Sequence, residues 1–497
     1  MLAPMTSRGI VAAGHPRTAD VGAAILREGG SAADALVAAV LASWVCEPLL
    51  TGPAAGGHLL AVPAGGPAVA IDAFCAAPSG TAASPLRAVD VDFGDAHQTF
   101  HVGGASVGAF GLADGLVALH DRHGRMRLED LAAPASRMAH EGVPLNAGQA
   151  YVARILEGIL RSTPESEALW APGGRLLVEH DLLRSPELGA TIARIGSEGA
   201  GPLRDGDLAA ACVAWAARAG GALRAEDLAG YRAVLREPVR VGYRDRTVLT
   251  TPPPSAGGLL LALALGRLDR ATGGPPGPAE LVAAMAAAED ERTDAFVDGL
   301  DVPGYADRLL ALRLGSTTHV SVIDGDGLAC GATSTNGEGS GLIVPGTGIH
   351  LNNVMGEEDL NPGLANPARA FPAGRRMPSM MAPTAVLRAD GSTEAILGSA
   401  GSMRIRSALL QTVVGLVDHD HDPQAAVTAP RVHVEDGVVY REPGLAAPDG
   451  WTGGRPLVDF AAPSLFFGGV QIATRSADGG ALAAAADPRR GGAVAVA

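Results

Sequence analysis

The tightest constraint on this chain is the stretch Gly315-Ser316-Thr317-Thr318-His319-Val320-Ser321-Val322-Ile323-Asp324, followed by a glycine-rich run from Gly327 to Gly348. Val320 and Val322 alternate with His319 and Ser321, the period-2 pattern of a strand with one apolar and one polar face. Asp324-Gly325-Asp326-Gly327 is a turn signal, and Ala329 to Thr335 reads as the returning strand. A hairpin therefore starts with a Thr pair at its head. Thr is common at strand starts for its β-branched shape alone. It gains chemical meaning when the peptide bond before it breaks. The new α-amino group, with a reference pKa of about 7.7–8.0, can then take the proton of its own hydroxyl. Thr317 would become nucleophile and base in one residue.

Composition removes several alternatives. The chain has no Lys among its 497 residues, which excludes Schiff-base and pyridoxal-phosphate enzymes, Walker-A loops and Ser-Lys dyads. A net charge of −15 argues against nucleic acid or an anionic membrane surface as partner. Cys46, Cys75, Cys212 and Cys330 are scattered without a C-x-x-C pair, so neither a zinc site nor a disulfide framework is expected. Met1 to Gly14 shows no apolar core behind a basic start, and the longest apolar runs fall short of a membrane span. A cytoplasmic, non-membrane protein acting on a small molecule is the expectation.

Local signals place further elements. Val21, Ile25 and Leu26 have helical spacing that stops at Gly29-Gly30, and Ser31 with Asp34 forms a capping pair opening a helix over Ala32 to Cys46. His58 to Val62 and Val69 to Phe74 read as strands, and Ile405 to Val417 as a helix. The Pro-rich and acidic stretch between Gly273 and Leu314 reads as a mobile surface segment.

Taken together, Thr317-Thr318-His319, Thr335, Leu351-Asn352-Asn353-Val354-Met355, Ser379-Met380-Met381-Ala382-Pro383-Thr384 and Gly398-Ser399-Ala400-Gly401-Ser402 resemble the small-subunit signature of the γ-glutamyltranspeptidases. Leu223 to Tyr231, Arg236-Glu237-Pro238 and Pro252 to Gly258 resemble that family's large subunit. The resemblance covers most of the chain and is weakest at about 150–205 and 270–314. It implies an α+β fold, the four-layer αββα sandwich of N-terminal-nucleophile hydrolases. It also implies self-cleavage between Ser316 and Thr317, giving a large chain 1–316 and a small chain 317–497 that share one domain, alone or as a dimer of such pairs. No metal or other cofactor is implied.

The resemblance assigns roles by position. Thr317 is the nucleophile and Thr335 its hydrogen-bond partner. The oxyanion hole, two consecutive glycines in the family, falls on Gly401 and Ser402, and a Ser there is expected to demand an ordinary φ. Substrate contacts fall on Phe74, Asn353, Glu357 and Ser379. The family holds the glutamyl α-carboxylate with an Arg where this chain has Phe74, and its second paired serine is Met380. A carboxylate there would lose a charge-assisted contact of about 1.5–3 kcal/mol. The expected reaction is hydrolysis or transfer of a γ-glutamyl-like group on an atypical substrate. The alternatives are C–C hydrolysis next to a keto group, as in 4-alkylproline-type antibiotic biosynthesis, and an uncleaved binding homologue.

Three other constellations compete. Gly104-Ala105-Ser106-Val107-Gly108 fits the G-x-S-x-G elbow, but Gly111 and Gly115 delay the helix that should follow at once. Asp418 to Asp422 has metal-ligand types, yet Asp422-Pro423 reads as an N-cap and first helical residue. Gly337-Glu338-Gly339-Ser340-Gly341 fails the dinucleotide spacing, so its glycines are read as sites of close backbone approach.

Overall fold

The computed structural model describes residues 7–92, 97–271, 274–291, 317–357, 361, 363–364 and 370–497. Two sheets carry the fold. The strands are β1 (Gly9–Ala13), β2 (Gly56–Val62), β3 (Val69–Ala73), β4 (Val234–Arg236), β5 (Val239–Tyr243), β6 (Arg246–Thr250), β7 (Thr318–Asp324), β8 (Ala329–Thr335), β9 (Thr384–Leu387), β10 (Thr393–Ala400), β11 (Gly469–Arg475), β12 (Leu482–Ala486) and β13 (Ala493–Val496). One sheet runs β13-β1-β7-β8-β2-β3-β4 and the other β12-β11-β10-β9-β6-β5. Both draw strands from both sides of residue 317.

Helices α1 (Pro16–Arg27), α2 (Ala32–Cys46) and α3 (Leu112–His123) cover the outer face of the first sheet. On the far side, α4 (Ala256–Arg270) and α5 (Arg404–Val417) cover the second. The inner faces pack on one another through short side chains, among them Ala12, Ala70, Ala329, Ala385, Ala473 and Ala484 with Ile10, Leu60, Ile323 and Ile396. The result is the expected αββα sandwich. Small residues on both inner faces let the sheets approach closely, as aligned sheets require.

The local forecasts meet the structure closely. The hairpin strands end at Asp324 and begin again at Ala329, and the Asp324 side chain accepts from Leu328 N to close the turn. Ser31 and Asp34 form a full capping box on α2, which is buried along its whole length. Within 273–314 the expectation of a mobile surface segment is corrected for one part. Pro278–Asp290 is a helix that buries Leu281, Val282 and Met285 against α4, because its apolar positions recur on one face. Residues 292–316, Ser316 included, lie outside the described residues.

Candidate active site

Sheet register assembles the site. Thr318 pairs with Ser334 and His319 with Thr333; Thr335 pairs with Gly56; Gly57 pairs with Ala73. Carried one residue past these strand ends, the same register aligns Thr317, Thr335, Gly56 and Phe74 in one row across four strands. Alternation puts this row on the inner face, with Ile323 and Leu60 further along the same strands. The second sheet rises in step. Gly331, opposite Ser321, lies against Ile396, and His319 lies against Gly398. Two residues further along both strands, Thr317 comes level with Ala400 and Gly401.

Each strand of the row is fixed from below. Thr317 is fully buried at the entry to β7. On the helix side, the Thr318 hydroxyl donates to Glu47 Oε1 at 2.9 Å, where Glu47 ends α2. Burial pushes the Glu47 carboxyl up to about 7. On the inner side, the next row down holds His319, Thr333, His58 and Asp72 in register. His319 Nδ1 is 2.7 Å from Thr333 Oγ1 and its Nε2 is 2.9 Å from Ser321 Oγ. Burial lowers this imidazole to about 3, so it is a neutral core group rather than a base.

Two of the residues expected on the substrate side, Asn353 and Glu357, lie beside the turn that follows Thr335. Its hydroxyl accepts from Gly337 N at 2.8 Å, which starts a turn with Gly337 at φ +62. A Cβ on Gly337 would stand 2.0 Å from Asn353 Oδ1 and 2.7 Å from Glu357 Oε1. A glycine at this left-handed position allows that approach, and the turn brings Thr335, Asn353 and Glu357 together. Ser379 sits on a segment running beside the Phe74 strand, since Met377 N donates to Cys75 O. Its hydroxyl accepts from Met381 N at 2.9 Å.

Gly401 and Ser402 form the bend between β10 and α5. Gly401 has φ +123, and a Cβ there would lie 2.5 Å from Gly468 Cα. Ser402 corrects the expectation of an ordinary φ: it stands at φ +56, in the left-handed region. The bend therefore keeps a glycine-like shape with a serine in it, a conformation that costs an L-residue about 1–2 kcal/mol.

Phe74 is fully buried. Its ring leans over Gly56, where a Cβ would meet Phe74 Cδ2 at 2.7 Å, and lies 5.7 Å from the His58 ring, centroid to centroid. Its carbonyl accepts from Tyr231 OH and Arg376 Nη1, each at 2.5 Å. The apolar ring thus occupies a built position in the same row as Thr317. Sequence reasoning missed Glu47, His58 and Arg376. The only signal for the first two was a polar residue inside an otherwise apolar element.

The competing constellations resolve into structure. Ser106 lies in a short 3₁₀ turn, its hydroxyl donating to Gly103 O at 2.7 Å, and the helix begins only at Leu112. Asp418 receives Tyr243 OH and Arg244 Nε, while Asp422 caps the next helix through Ala425 N. Gly339 packs on the His350 ring and Gly341 on Ser162.

An αββα sandwich with a Thr at the head of an inner strand is the plan of the N-terminal-nucleophile hydrolases. The family model for gamma-glutamyltranspeptidase matches residues 18–311 and 278–497, and the chain belongs to that family of enzymes. It is 32% identical over 473 residues to the Acylase ACY 1 proenzyme of Pseudomonas sp. (strain SE83), covering 88% of this chain and 84% of the relative. It is 29% identical to the glutathione hydrolase proenzyme of Escherichia coli (strain K12), covering 86% and 81%. Among solved structures it resembles a cephalosporin acylase from Bacillus halodurans, with a TM-score of 0.82, 25% identity, and 100% of this chain and 96% of that one covered. These relatives are enzymes, and the Pseudomonas and Escherichia ones are named as proenzymes.

Proposed function

We propose that this chain cuts itself before Thr317 and then works as an acylase on an N-acyl amide whose acyl group places no carboxylate at Phe74. In maturation the Thr317 hydroxyl attacks the carbonyl carbon of residue 316. The acyl group moves from N to O, which frees the Thr317 amine, and water then hydrolyses the ester, restoring the hydroxyl and separating the two chains. In turnover the same oxygen attacks the substrate carbonyl carbon and the amine accepts the hydroxyl proton. The oxyanion is met by the main-chain N–H groups of Gly401 and Ser402. The amine's proton then leaves with the departing nitrogen, and water releases the acid. The two chains stay together because β1 lies between β7 and β13, and β9 beside β6, so strands of both are interleaved in both sheets.

The observation that carries this reading is the row Thr317–Thr335–Gly56–Phe74, which puts a buried ring where a γ-glutamyl carboxylate would need a cation. The acylase names of two relatives point the same way. The test is rapid-quench intact mass with acyl nitroanilides. The acyl mass should appear on the 317–497 chain of the wild type and of Ser106→Ala, and be absent from Thr317→Ala. Label on the 1–316 chain that Ser106→Ala removes would overturn it.

A further inference from the structure

His58 is fully buried on the inner face of β2, and neither ring nitrogen has a hydrogen-bond partner among the described residues. Buried polar atoms ordinarily find a partner, and here both nitrogens of one ring are without one. The ring lies one row below Thr335 and Gly56 and faces the Phe74 ring. Asp72 Oδ1 is 3.9 Å from His58 Nδ1, too long for a hydrogen bond but close enough to orient the imidazole.

We infer that His58 is a specificity-determining residue of the acyl site, and that the acyl group it selects ends in an uncharged hydrogen-bond donor such as a carboxamide or hydroxyl. This rests on the acylase reading. The carboxylate of Asp72 favours the tautomer with the proton on Nδ1, leaving Nε2 as an acceptor. Burial lowers the imidazole to about 4, so it offers no positive charge at neutral pH. The two guanidiniums nearby are already engaged: Arg236 holds Asp72 at 2.7 Å, and Arg376 donates to the carbonyls of Phe74 and Arg232. A terminal carboxylate would therefore meet the Nε2 lone pair rather than a donor. A terminal hydrocarbon would fit Phe74 and leave Nε2 unmet. A terminal donor meets Nε2.

The test uses the matured wild type and three nitroanilides of equal acyl length, ending in a carboxylate (glutaryl), a carboxamide (its half amide) and an isopropyl group. The carboxamide should lead both others by about tenfold or more in kcat/KM, the discrimination a hydrogen-bonding subsite gives over an isostere. His58→Phe should still cleave itself yet bring the three within about twofold, and His58→Gln should restore the ranking. A wild type that prefers the carboxylate or the isopropyl group overturns the inference without any variant, as does a preference that survives His58→Phe. A fully matured wild type that turns over none of the three, with no acyl mass on Thr317, overturns the acylase reading itself.

Discussion

The two ends of the row that crosses the first sheet have diverged to different degrees from the γ-glutamyltranspeptidase pattern. At one end stand Thr317, Thr335, Gly401 and a left-handed Ser402, the residues to which the proposed function gives the acyl-transfer chemistry. At the other, three strands away, the resemblance puts an Arg where this chain has Phe74, whose ring faces the His58 imidazole one row below, itself without a hydrogen-bond partner among the described residues. The chemistry is set by backbone register and bend shape, which few substitutions can alter without unfolding the sheet. Recognition is set by side chains standing on that backbone, which can change one at a time.

The largest expected effect lies at the nucleophile end. Gly401→Ala forces a Cβ to 2.5 Å from Gly468 Cα and must move the bend, so kcat of the matured protein should fall by about 100-fold or more. An unchanged kcat would separate the bend from catalysis.

Glu47 gives a pH test of the same end. Its folded pKa of about 7 stands above the ordinary 4.5, so between these values the folded state binds more protons than the unfolded one. Stability must then fall as pH rises through this window, by up to about 3 kcal/mol, with the loss complete above about pH 7. Glu47→Gln keeps an acceptor for Thr318 and removes this slope. Urea unfolding at pH 5 and pH 8 should show the variant gaining on the wild type as pH rises. Parallel curves would mean that Glu47 is already ionised at pH 5.

At the recognition end, Phe74→Arg should raise kcat/KM for γ-glutamyl nitroanilide by about tenfold or more, the value of one charge-assisted contact. Efficient wild-type turnover of that substrate would instead show that a carboxylate is accepted beside Phe74. The smallest effect sharpens the first: Ser402→Gly relieves a left-handed serine and should add about 1 kcal/mol of stability, seen as a higher Tm, with kcat within about threefold.

How much of this was legible depends on range along the chain. The hairpin from Thr318 to Thr335, the Ser31–Asp34 capping box and the Asp422 cap are fixed by neighbours a few residues apart, and the sequence pattern reads them directly. The delay before Leu112 that disqualifies Ser106 is equally local. What joins Phe74 to Thr317 is the order of four strands distant in sequence, which only the family resemblance could supply. Ser402 departs from what its side chain prefers because its φ is imposed by the bend between β10 and α5. Glu47 and His58 carry no motif. Their meaning comes from burial and from partners met or unmet, neither of which a one-dimensional pattern contains.

The most direct test of the central claim is the intact mass of the purified wild type beside Thr317→Ala. The account predicts two fragments in the wild type, 1–316 and 317–497, the second beginning with an unblocked Thr, and a single uncut 497-residue chain in the variant. An uncut wild type, or cleavage at the same bond in Thr317→Ala, would contradict it.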